Sequence, residues 1–356
     1  MDGSSRKSTA LGREAHGVRR ERVLASPRFR EGRFHNTHGV GPGLKGNPLP
    51  TLGEYFFSDN ERFPTSALPL LDPRPTWATP AETELRVTWL GHSTLLLEID
   101  GLRVLTDPVF GERASPVSFA GPRRFHRPPV TIAQLPPLDA VLVSHDHYDH
   151  LCRESVQLLA KLDVPFITSL GVGARLEAFG VPRERIHELD WWESLQLPAA
   201  DLRFTATPAQ HFSGRSLKDR NSTLWSSWVI ESTTRKLFFS GDTGLTDEFQ
   251  VIGAKYGPFD LVMLEIGAWH PSWGDIHLGP ANALTAHQWL RGKTLLPVHW
   301  GTFNLAIHAW NEPAETLWTL AEAQGVKLLT PTLGAVVEPS RLETPTAWWR
   351  ALATRK

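Results

Sequence analysis

The chain has 356 residues, of which 41% are apolar and 21% charged, and this balance suits a soluble globular protein with a large core. Its single cysteine, Cys152, excludes a disulfide framework and a cysteine-based zinc site, and it favours a reducing compartment. No apolar run reaches the roughly 18 residues that a membrane-spanning helix needs, and no apolar segment follows the N-terminus as in a signal peptide. We therefore expect a cytoplasmic protein whose contact with a membrane would be peripheral.

The first 80 residues are rich in Arg, Gly and Pro and show little periodicity. Residues 1–50 carry ten Lys and Arg against four Asp and Glu, whereas the whole chain has a net charge of −1. We interpret residues 1–80 as a basic tail, mobile at its start, followed by an extended segment that wraps the core. The alternative for the tail is a function in attracting anionic lipid headgroups or nucleic acid.

Strand patterns begin at Leu85. Leu85, Val87 and Trp89 alternate with polar residues, which predicts a strand buried on one face only. Two further strand segments meet at Asp100-Gly101, a dipeptide typical of a two-residue hairpin. Short apolar runs then recur, and they predict strands at residues 140–143, 165–168, 202–207, 227–230, 236–240, 261–266 and 294–299.

Helical patterns lie between these strands at residues 153–162 and 312–325. In the second helix, Pro313 suits the first turn and Gly325 the C-terminal stop. Strands interrupted by helices indicate an α/β protein with helices on the outside of its sheets. No internal repeat or low-complexity linker divides residues 81–340, so we predict one domain there, followed by a C-terminal extension at residues 341–356.

The stretch VLVSHDHYDHL, residues 141–151, places three histidines and two aspartates directly behind an apolar run. His145 and His147 are two residues apart, so in extended backbone they project to the same side and can chelate one ion. Asp149 and His150 follow as the chain turns, and they can face a neighbouring ion. Burying these groups unpaired would cost several kcal/mol each, and a bound metal removes that cost.

Three later runs also end in a candidate ligand: His211, Asp242 and His299. Strand ends hold side chains in fixed relative positions while leaving them open to substrate. Imidazole and carboxylate are the ligands that zinc takes when cysteine is absent. Two ions roughly 3.5–4 Å apart would use about seven ligands, one of them a bridging carboxylate. The sequence supplies seven: His145, His147, Asp149, His150, His211, Asp242 and His299.

The motif HxHxDH with downstream His, Asp and His resembles the metallo-β-lactamase superfamily of dinuclear metal hydrolases. The stretches "WLGHSTLLLEIDGLRVLTDPVF", "FFSGDTG" and "PVHWGTFNLA" are similar to those of N-acylphosphatidylethanolamine-hydrolysing phospholipases D, and the similarity runs from about Arg86 to Glu338. The resemblance implies an αββα sandwich, two mixed sheets flanked by helices, with the site at one edge between the sheets. It makes the domain at residues 81–340 a hydrolase.

The resemblance also implies a role for each ligand. The first Zn²⁺ would be held by His145, His147 and His211, the second by Asp149, His150 and His299, and Asp242 would bridge the two. Iron or manganese are alternatives to zinc. His277, in DIHLGPANAL, falls where the family has a further active-site histidine. Glu265 and the segment before residue 80 depart from the family's pattern.

Several other residues are candidates for supporting roles. Asp107 closes a predicted strand, where it could orient a ligand by a hydrogen bond or simply begin a turn before Pro108. Three arginines share a loop with aromatic residues that could grip a phosphate, although a solvated loop explains them equally well. A tryptophan-rich predicted loop could line an apolar substrate site. The candidates for substrate binding are Arg113, Arg123, Arg124, His92 and Trp269.

For the reaction, the resemblance implies that a metal-activated water attacks phosphorus, with Asp149, Asp242 and His277 as catalytic residues. The substrate would be N-acylphosphatidylethanolamine or another phosphodiester, and the products an N-acylethanolamine and a phosphatidic acid. A lactonase or phospholactonase could use the same centre, and a metal-binding protein without turnover is the alternative outside enzymes. We expect no nucleic-acid partner, because the chain after residue 50 is net acidic and carries no nucleic-acid-binding motif. Monomer and oligomer both stay open.

Overall fold

Two β-sheets face each other at the centre of the computed structural model, which describes residues 10–43, 45, 53–54, 60–197, 201–341 and 344–353. In chain order the strands are β1 (Phe29–Arg30), β2 (Arg33–Phe34), β3 (Leu85–Gly91), β4 (Thr94–Ile99), β5 (Leu102–Thr106), β6 (Ala140–Val143), β7 (Phe166–Ser169), β8 (Ile186–Leu189), β9 (Ser194–Gln196), β10 (Arg203–Thr207), β11 (Ser227–Glu231), β12 (Lys236–Phe239), β13 (Leu261–Glu265), β14 (Leu295–Val298) and β15 (Val336–Val337). The helices are α1 (Val18–Ala25), α2 (Arg74–Trp77), α3 (Arg153–Leu159), α4 (Gly173–Ala178), α5 (Glu248–Tyr256), α6 (Gly279–Trp289), α7 (Glu312–Gln324) and α8 (Arg350–Ala353).

The first sheet has the strand order β15-β3-β4-β5-β6-β7-β8, and the second has the order β14-β13-β12-β11-β10-β9. Each sheet is antiparallel on one side and parallel on the other, with β5 to β8 parallel in the first and β12 to β14 in the second. Parallel neighbours need crossovers, and α3, α4, α5 and α6 lie in four of them. These two mixed sheets and their helices confirm the αββα architecture that the resemblance implies.

Alternating side chains of the first sheet enter two different apolar layers. Leu142 of β6 belongs to the large core that includes residues of both sheets, whereas Val141 and Val143 lie on the opposite face. That outer face is covered by α3 and α4, for example through Val156 and Leu176. Burying each such side chain contributes about 1.5–3 kcal/mol, so both faces of the sheet stabilise the fold.

Local signals were sufficient for several elements. All seven predicted apolar runs contain strands, and the predicted hairpin joins β4 to β5. Asp100 and Gly101 have φ angles of 49° and 81°, and the two-residue turn favoured here needs positive φ at both positions. Helix α7 has Pro313 in its first turn and ends at Gly325, whose φ of 63° is left-handed. These predictions are confirmed.

The prediction that β3 is buried on one face only is wrong. All seven of its residues are buried, including the polar ones. Arg86 donates to both carboxylate oxygens of Glu98 on β4, over 2.5 and 2.7 Å, so its charge is paired inside the protein. Thr88 accepts a hydrogen bond from the indole of Trp77 in α2. The second face is therefore covered by the segment before the sheet, which no pattern within β3 could reveal.

We call residues 10–43 and 45 the leader. Its helix α1 packs on the first sheet, and Arg19 is buried, with ion pairs to Glu177 at 3.0 Å and to Glu188. Arg22 donates to Glu188 O at 2.7 Å and to Glu193 at 2.6 Å. From residue 10 onwards the described part of this segment packs on the domain, where Arg19 and Arg22 pair with acidic residues. Residues 1–9 lie outside the described residues.

The C-terminal extension also packs on the domain as far as the structure describes it. Trp348 stacks on Trp300 with ring centroids 5.5 Å apart, and Trp349 donates through its indole N–H to Glu315 of α7 at 2.8 Å. Much of the chain's tryptophan is therefore core, as expected for side chains that bury so much area. Within the described residues, every helix is too short or too polar to cross a bilayer.

Candidate metal centre

The seven candidate ligands lie at the ends of strands from both sheets. The loop after β6 carries four of them, and β10, β12 and β14 are each followed by one: His145, His147, Asp149, His150, His211, Asp242 and His299. Because β6 belongs to the first sheet and the other three strands to the second, these side chains meet where the two sheets adjoin. His147 and Asp149 are partly exposed and the other five are buried, so the cluster reaches solvent on one side.

The first ligand group consists of three imidazoles and one carboxylate. His147 Nδ1 lies 2.9 Å from His145 Nε2 and 3.2 Å from His211 Nε2. Asp242 Oδ2 lies 3.9 Å from the same nitrogen of His145 and 3.7 Å from that of His211. Ligand atoms around a tetrahedral zinc ion are roughly 3.3 Å apart, so the four atoms are spaced as one ion requires.

The second group lies on the other side of Asp242. Asp149 Oδ2 is 3.2 Å from His299 Nε2 and 3.5 Å from His150 Nε2. Asp242 Oδ1 lies 3.1 Å from His150 Nε2, and its Oδ2 lies 3.2 Å from His299 Nε2. Asp242 therefore faces both groups, which is the position that a bridging carboxylate occupies between two ions.

Three buried atoms of the seven candidate ligands have no hydrogen-bond partner among the described residues. One is His299 Nδ1, and the other two, His150 Nε2 and Asp242 Oδ1, lie close together without the geometry of a hydrogen bond. Leaving such polar atoms unsatisfied costs about 1–3 kcal/mol each. A divalent cation would satisfy the last two at once, so the donor set fits a metal site.

Burial and charge act in opposite directions on the ionisation of these groups. Burial lowers the pKa of His145 and of His211 well below the usual value, so both imidazoles are neutral. Burial also opposes the protonation of His299, but the Asp242 charge outweighs it and raises the pKa of His299 to about 10. Burial opposes the ionisation of Asp242, yet His150 and His299 hold its pKa well below its usual range. Metal ligands bind in their deprotonated forms, so a cation would take the place of these protons.

Asp107 lies behind the second group and is fully buried. Its carboxylate accepts hydrogen bonds from Ser144 N and Ser144 Oγ, both over 2.7 Å, and from His150 Nδ1 over 2.7 Å. The last contact makes Nδ1 the protonated nitrogen of His150 and leaves Nε2 facing Asp242. These are the contacts that the predicted orienting role of Asp107 requires.

Backbone strain is concentrated at the same strand ends. His92, Asp107 and His299 have positive φ angles of 54°, 33° and 64°, each costing on the order of 1–3 kcal/mol for a residue other than glycine. Gly241, which precedes Asp242, has a φ of 54°, and a Cβ there would lie 2.7 Å from Ser144 Cβ. Only glycine allows the loops after β6 and β12 to approach so closely.

His92 lies among the metal-ligand candidates rather than apart from them. Its Nε2 is 3.0 Å from Asp149 Oδ2, and its ring centroid is 4.0 Å from that of His299. Burial, and then the proximity of His299, lower the pKa of His92 to about 3, so the ring is neutral. Its predicted place near the metals matches this geometry, and its contribution to substrate binding stays a prediction.

Glu265, which is buried, and His277, which is partly exposed, form a second carboxylate–histidine pair beside the cluster. His277 Nδ1 lies 3.0 Å from both carboxylate oxygens of Glu265. Glu265 Oε1 also accepts from the backbone N–H groups of Thr243 at 3.0 Å and of Leu278 at 3.1 Å. Sequence reasoning assigned no role to Glu265. The available signal was its position at the end of β13, between the strands that end before Asp242 and His299.

The three candidate arginines differ in their surroundings. Arg113 donates to carbonyl groups of its own loop, and Arg123 forms a solvent-exposed pair with Glu112 at 2.6 Å. Arg124 is buried instead, and its guanidinium carbon lies 5.8 Å from the ring centre of Phe303. Burial lowers the pKa of Arg124 to about 10, so it stays charged at neutral pH. Since Phe303 also contacts His92, Arg124 is linked to the cluster through one aromatic ring.

Trp269 lies in an irregular segment after β13, as predicted, and is partly buried. Its indole packs on Gly279, where a Cβ would come within 2.9 Å of the ring, and it stacks on His308 with centroids 6.5 Å apart. Gly279 is two residues beyond His277 in sequence. Contact of Trp269 with substrate stays a prediction.

Comparison with known proteins places this geometry in a family. A family model described as "Beta-lactamase superfamily domain" matches residues 102–300, which span β5 to the residue after His299. The chain belongs to the metallo-β-lactamase superfamily. It is a metal-dependent hydrolase of that superfamily, which confirms the expectation of an enzyme.

Two relatives define its place within the superfamily. The chain is 37% identical to "N-acyl-phosphatidylethanolamine-hydrolyzing phospholipase D 1" of Caenorhabditis elegans over 275 residues, 73% of this chain and 77% of that protein. It is 44% identical to an uncharacterized protein of Mycobacterium tuberculosis over 347 residues, 96% of this chain and 92% of that protein. The predicted resemblance to the phospholipase D-like branch is confirmed.

A solved structure shares the fold at lower identity. The metallo hydrolase Igni18 of Ignicoccus hospitalis superposes with a TM-score of 0.57 and 23% identity, over 72% of this chain and 98% of that one. At this identity the likeness shows the fold alone. It confirms the metallo-β-lactamase sandwich.

Proposed function

We propose that this protein is a dinuclear zinc phosphodiesterase that hydrolyses N-acylphosphatidylethanolamine to an N-acylethanolamine and a phosphatidic acid. The observation that supports this most strongly is the position of Asp242, whose oxygens face two adjacent ligand groups. The 37% identity to the phospholipase D of C. elegans supports the choice of substrate.

Each of the two ligand groups would hold one metal ion. One Zn²⁺ would be held by His145, His147 and His211, the other by Asp149, His150 and His299, and both by Asp242. Divalent ions held by these residues would supply Lewis acidity, which lowers the pKa of water from about 15.7 toward 7 and offsets charge on phosphate oxygens. Iron or manganese would fit the same imidazole and carboxylate donors.

The remaining steps belong to side chains of the protein. Asp149 is partly exposed, so its carboxylate can accept the proton of the attacking water. His277 supplies a proton to the leaving alkoxide through Nε2, because Glu265 occupies Nδ1. His277 is partly exposed and its ring centroid lies 5.5 Å from that of His299, within reach of a substrate at the cluster.

Substrate contacts involve an anionic headgroup and apolar tails. Arg124 supplies a buried positive charge one ring away from the cluster, and Arg113 and Arg123 supply charge in the adjoining loop. His92 contacts Asp149 of the cluster, and Trp269 packs on Gly279, two residues beyond His277. A phospholipid would be taken from a membrane surface by peripheral contact.

The decisive experiment measures turnover of three substrates in parallel, with and without a metal chelator. They are an N-acylated phosphatidylethanolamine in vesicles, a soluble aryl phosphodiester and an acyl-homoserine lactone. We expect cleavage of both phosphorus substrates, fastest on the lipid, little cleavage of the lactone, and loss of activity with chelator. Metal analysis of the purified protein should give about two equivalents of zinc.

The Asp242→Asn protein, purified in the same way, is the control for contaminating hydrolases. Preference for the lactone by more than about tenfold, roughly 1.4 kcal/mol of transition-state discrimination, would make the protein a lactonase of the same fold. Purified protein without bound metal and without any response to added zinc would contradict the metal centre itself.

A further inference from the structure

Asn36, in the leader, hydrogen-bonds to both backbone groups of His211. Its Nδ2 donates to His211 O over 2.8 Å, and its Oδ1 accepts from His211 N over 3.0 Å. The same amide donates to Val40 O over 2.7 Å and accepts from the indole N–H of Trp225 over 3.0 Å. Asn36 is buried, and both donors and both lone pairs of its amide are in use.

This contact replaces the partner that a sheet would provide. His211 follows β10 in a segment without regular secondary structure, where it is buried. Buried peptide groups need hydrogen-bond partners, and for His211 both are supplied by one side chain 175 residues earlier in the chain. The direction in which the His211 imidazole leaves the backbone is therefore set by Asn36.

The leader also reaches the partner of the His211 ring. His211 Nδ1 donates to Ile276 O over 2.9 Å, which leaves Nε2 for the first ligand group. The segment just before Ile276 pairs with the leader, since Gly274 N donates to Gly43 O over 2.8 Å and Lys45 N donates to Ser272 O over 2.6 Å. The leader thus holds the ligand from the backbone side and from the ring side.

The leader and the segment before Ile276 are closely packed. A Cβ placed on Gly274 would lie 2.3 Å from Gly41 O, which is shorter than any normal contact. Lys45 Nζ adds an ion pair with Asp275 at 2.5 Å. Displacing the leader would therefore also move the loop that carries Ile276.

We propose that Asn36 is a positioning residue for the first metal site and that the leader is part of the scaffold of the metal centre. This inference rests on the metal centre of the proposed function, but not on the identity of the substrate. Outer partners that orient a metal ligand typically contribute 10–100-fold to metal affinity. Asn36 should therefore set the affinity of the ion that His211 holds and leave the other ion unaffected.

A matched control exists in the same region. Asn221 bridges the leader and the same loop, because its Nδ2 donates to Phe34 O over 3.1 Å and its Oδ1 accepts from Ser213 N over 3.2 Å. Phe34 is two residues before Asn36, and Ser213 is two residues after His211. Asn221 therefore connects the two segments without contacting His211. Its φ of 57° is tolerated by glycine, and Asn221→Gly removes the side chain without backbone strain.

The test is a titration of metal-free protein with Zn²⁺ in competition with a chromophoric chelator. We compare the unchanged protein with Asn36→Ala and Asn221→Gly, and record thermal unfolding of each. The unchanged protein should bind two ions, and Asn36→Ala should bind one of them about 10–100-fold more weakly. Asn221→Gly should lose stability but keep both affinities within about twofold. Visible spectra of the Co²⁺-substituted proteins should differ only for Asn36→Ala, because the ligand geometry changes there.

Gly274→Ala provides a second route if Asn36→Ala does not fold. It leaves Asn36 intact and displaces the leader through the contact with Gly41, and the same ion should be weakened. Two zinc affinities within about twofold of the unchanged protein in Asn36→Ala, or in Gly274→Ala where Asn36→Ala does not fold, would overturn the proposal. An unchanged protein that binds no zinc would instead overturn the metal centre, and with it this inference. Zinc binding without cleavage of the phospholipid would contradict only the proposed substrate.

Discussion

The two ligand groups share Asp242 but differ in charge and in what holds them. The first combines three imidazoles with neutral partners behind them, such as the backbone of Ile276 and the amide of Asn36. The second includes a carboxylate of its own, Asp149, and has another buried carboxylate, Asp107, behind His150.

From this difference we expect that the two proposed sites can be perturbed one at a time. Negative charge close to a cation offsets the cost of taking that cation out of water, and the second group has more of it. The first group depends instead on the exact placement of neutral ligands by hydrogen bonds. Changes of charge should therefore act mainly on the second site. Changes of the hydrogen bonds between the leader and the loops should act mainly on the first site.

The largest effect should come from Asp242, the residue that belongs to both groups. Asp242→Asn removes the one charge that faces both ions, so we expect loss of bound zinc and a fall in activity of at least about a hundredfold. Metal analysis and phosphodiester turnover measure both. Asp163→Asn, at an exposed aspartate, is the matched control. Near-normal activity of Asp242→Asn would refute the bridging role.

A substitution of Asp107 tests whether the two groups are independent. Asp107→Asn weakens the contact to His150 and brings an amide N–H close to the donors of Ser144, so we expect the second zinc ion to bind about 10–100-fold more weakly. The first ion should be weakened less, because Asp107 reaches the first group only through Ser144, whose hydroxyl lies 2.9 Å from His145 Nδ1. Stability should also fall by about 1–3 kcal/mol, because a buried donor is left unpaired. Equal weakening of both ions in the competition titration would show that the groups are not independent.

A smaller effect should follow from a change at Glu265, whose carboxylate lies 3.9 Å from His299 Nδ1 but is not one of the seven candidate ligands. Glu265→Gln keeps the size of the side chain but loses the charge that orients His277, so we expect kcat to fall about tenfold with KM unchanged. Both zinc affinities should stay the same. Steady-state kinetics on the soluble phosphodiester and zinc titration test the two statements separately. A lower zinc affinity would place Glu265 with the ligands instead.

The smallest effect should come from the exposed loop. Arg123→Gln breaks an ion pair with Glu112 in open solvent, and such pairs contribute about 0–1 kcal/mol. We expect turnover of the soluble phosphodiester to change less than about twofold. A fall of more than tenfold on vesicles alone would show that this loop contacts the phospholipid surface.

The sequence was informative wherever chemistry is local. The spacing of His145 and His147 and the positions of the later ligands after predicted strands identified seven candidate ligands, and the resemblance to the superfamily implied their division between two ions. The hairpin at Asp100-Gly101 and the ends of α7 were predictable for the same reason, since turn and cap geometry depends on a few adjacent residues.

Contacts between distant segments were not predictable. Nothing near Asn36 indicates a partner at His211, and β3 looked half-exposed because the residues that cover its polar face come from another segment. The leader looked like a free tail because its arginines find their carboxylates, such as Glu177 and Glu188, only after the chain folds back.

By itself the sequence determined the types of ligand, their order along the chain and the α/β class, since these follow from residue chemistry and from hydrophobic periods of two and 3.6. Only the tertiary structure decided that Asp242 faces both groups, that Glu265 holds His277 and that the leader supports His211. These contacts depend on how the two sheets and their loops pack together. They join residues far apart in the chain, so the residues next to each partner carry no pattern that predicts them.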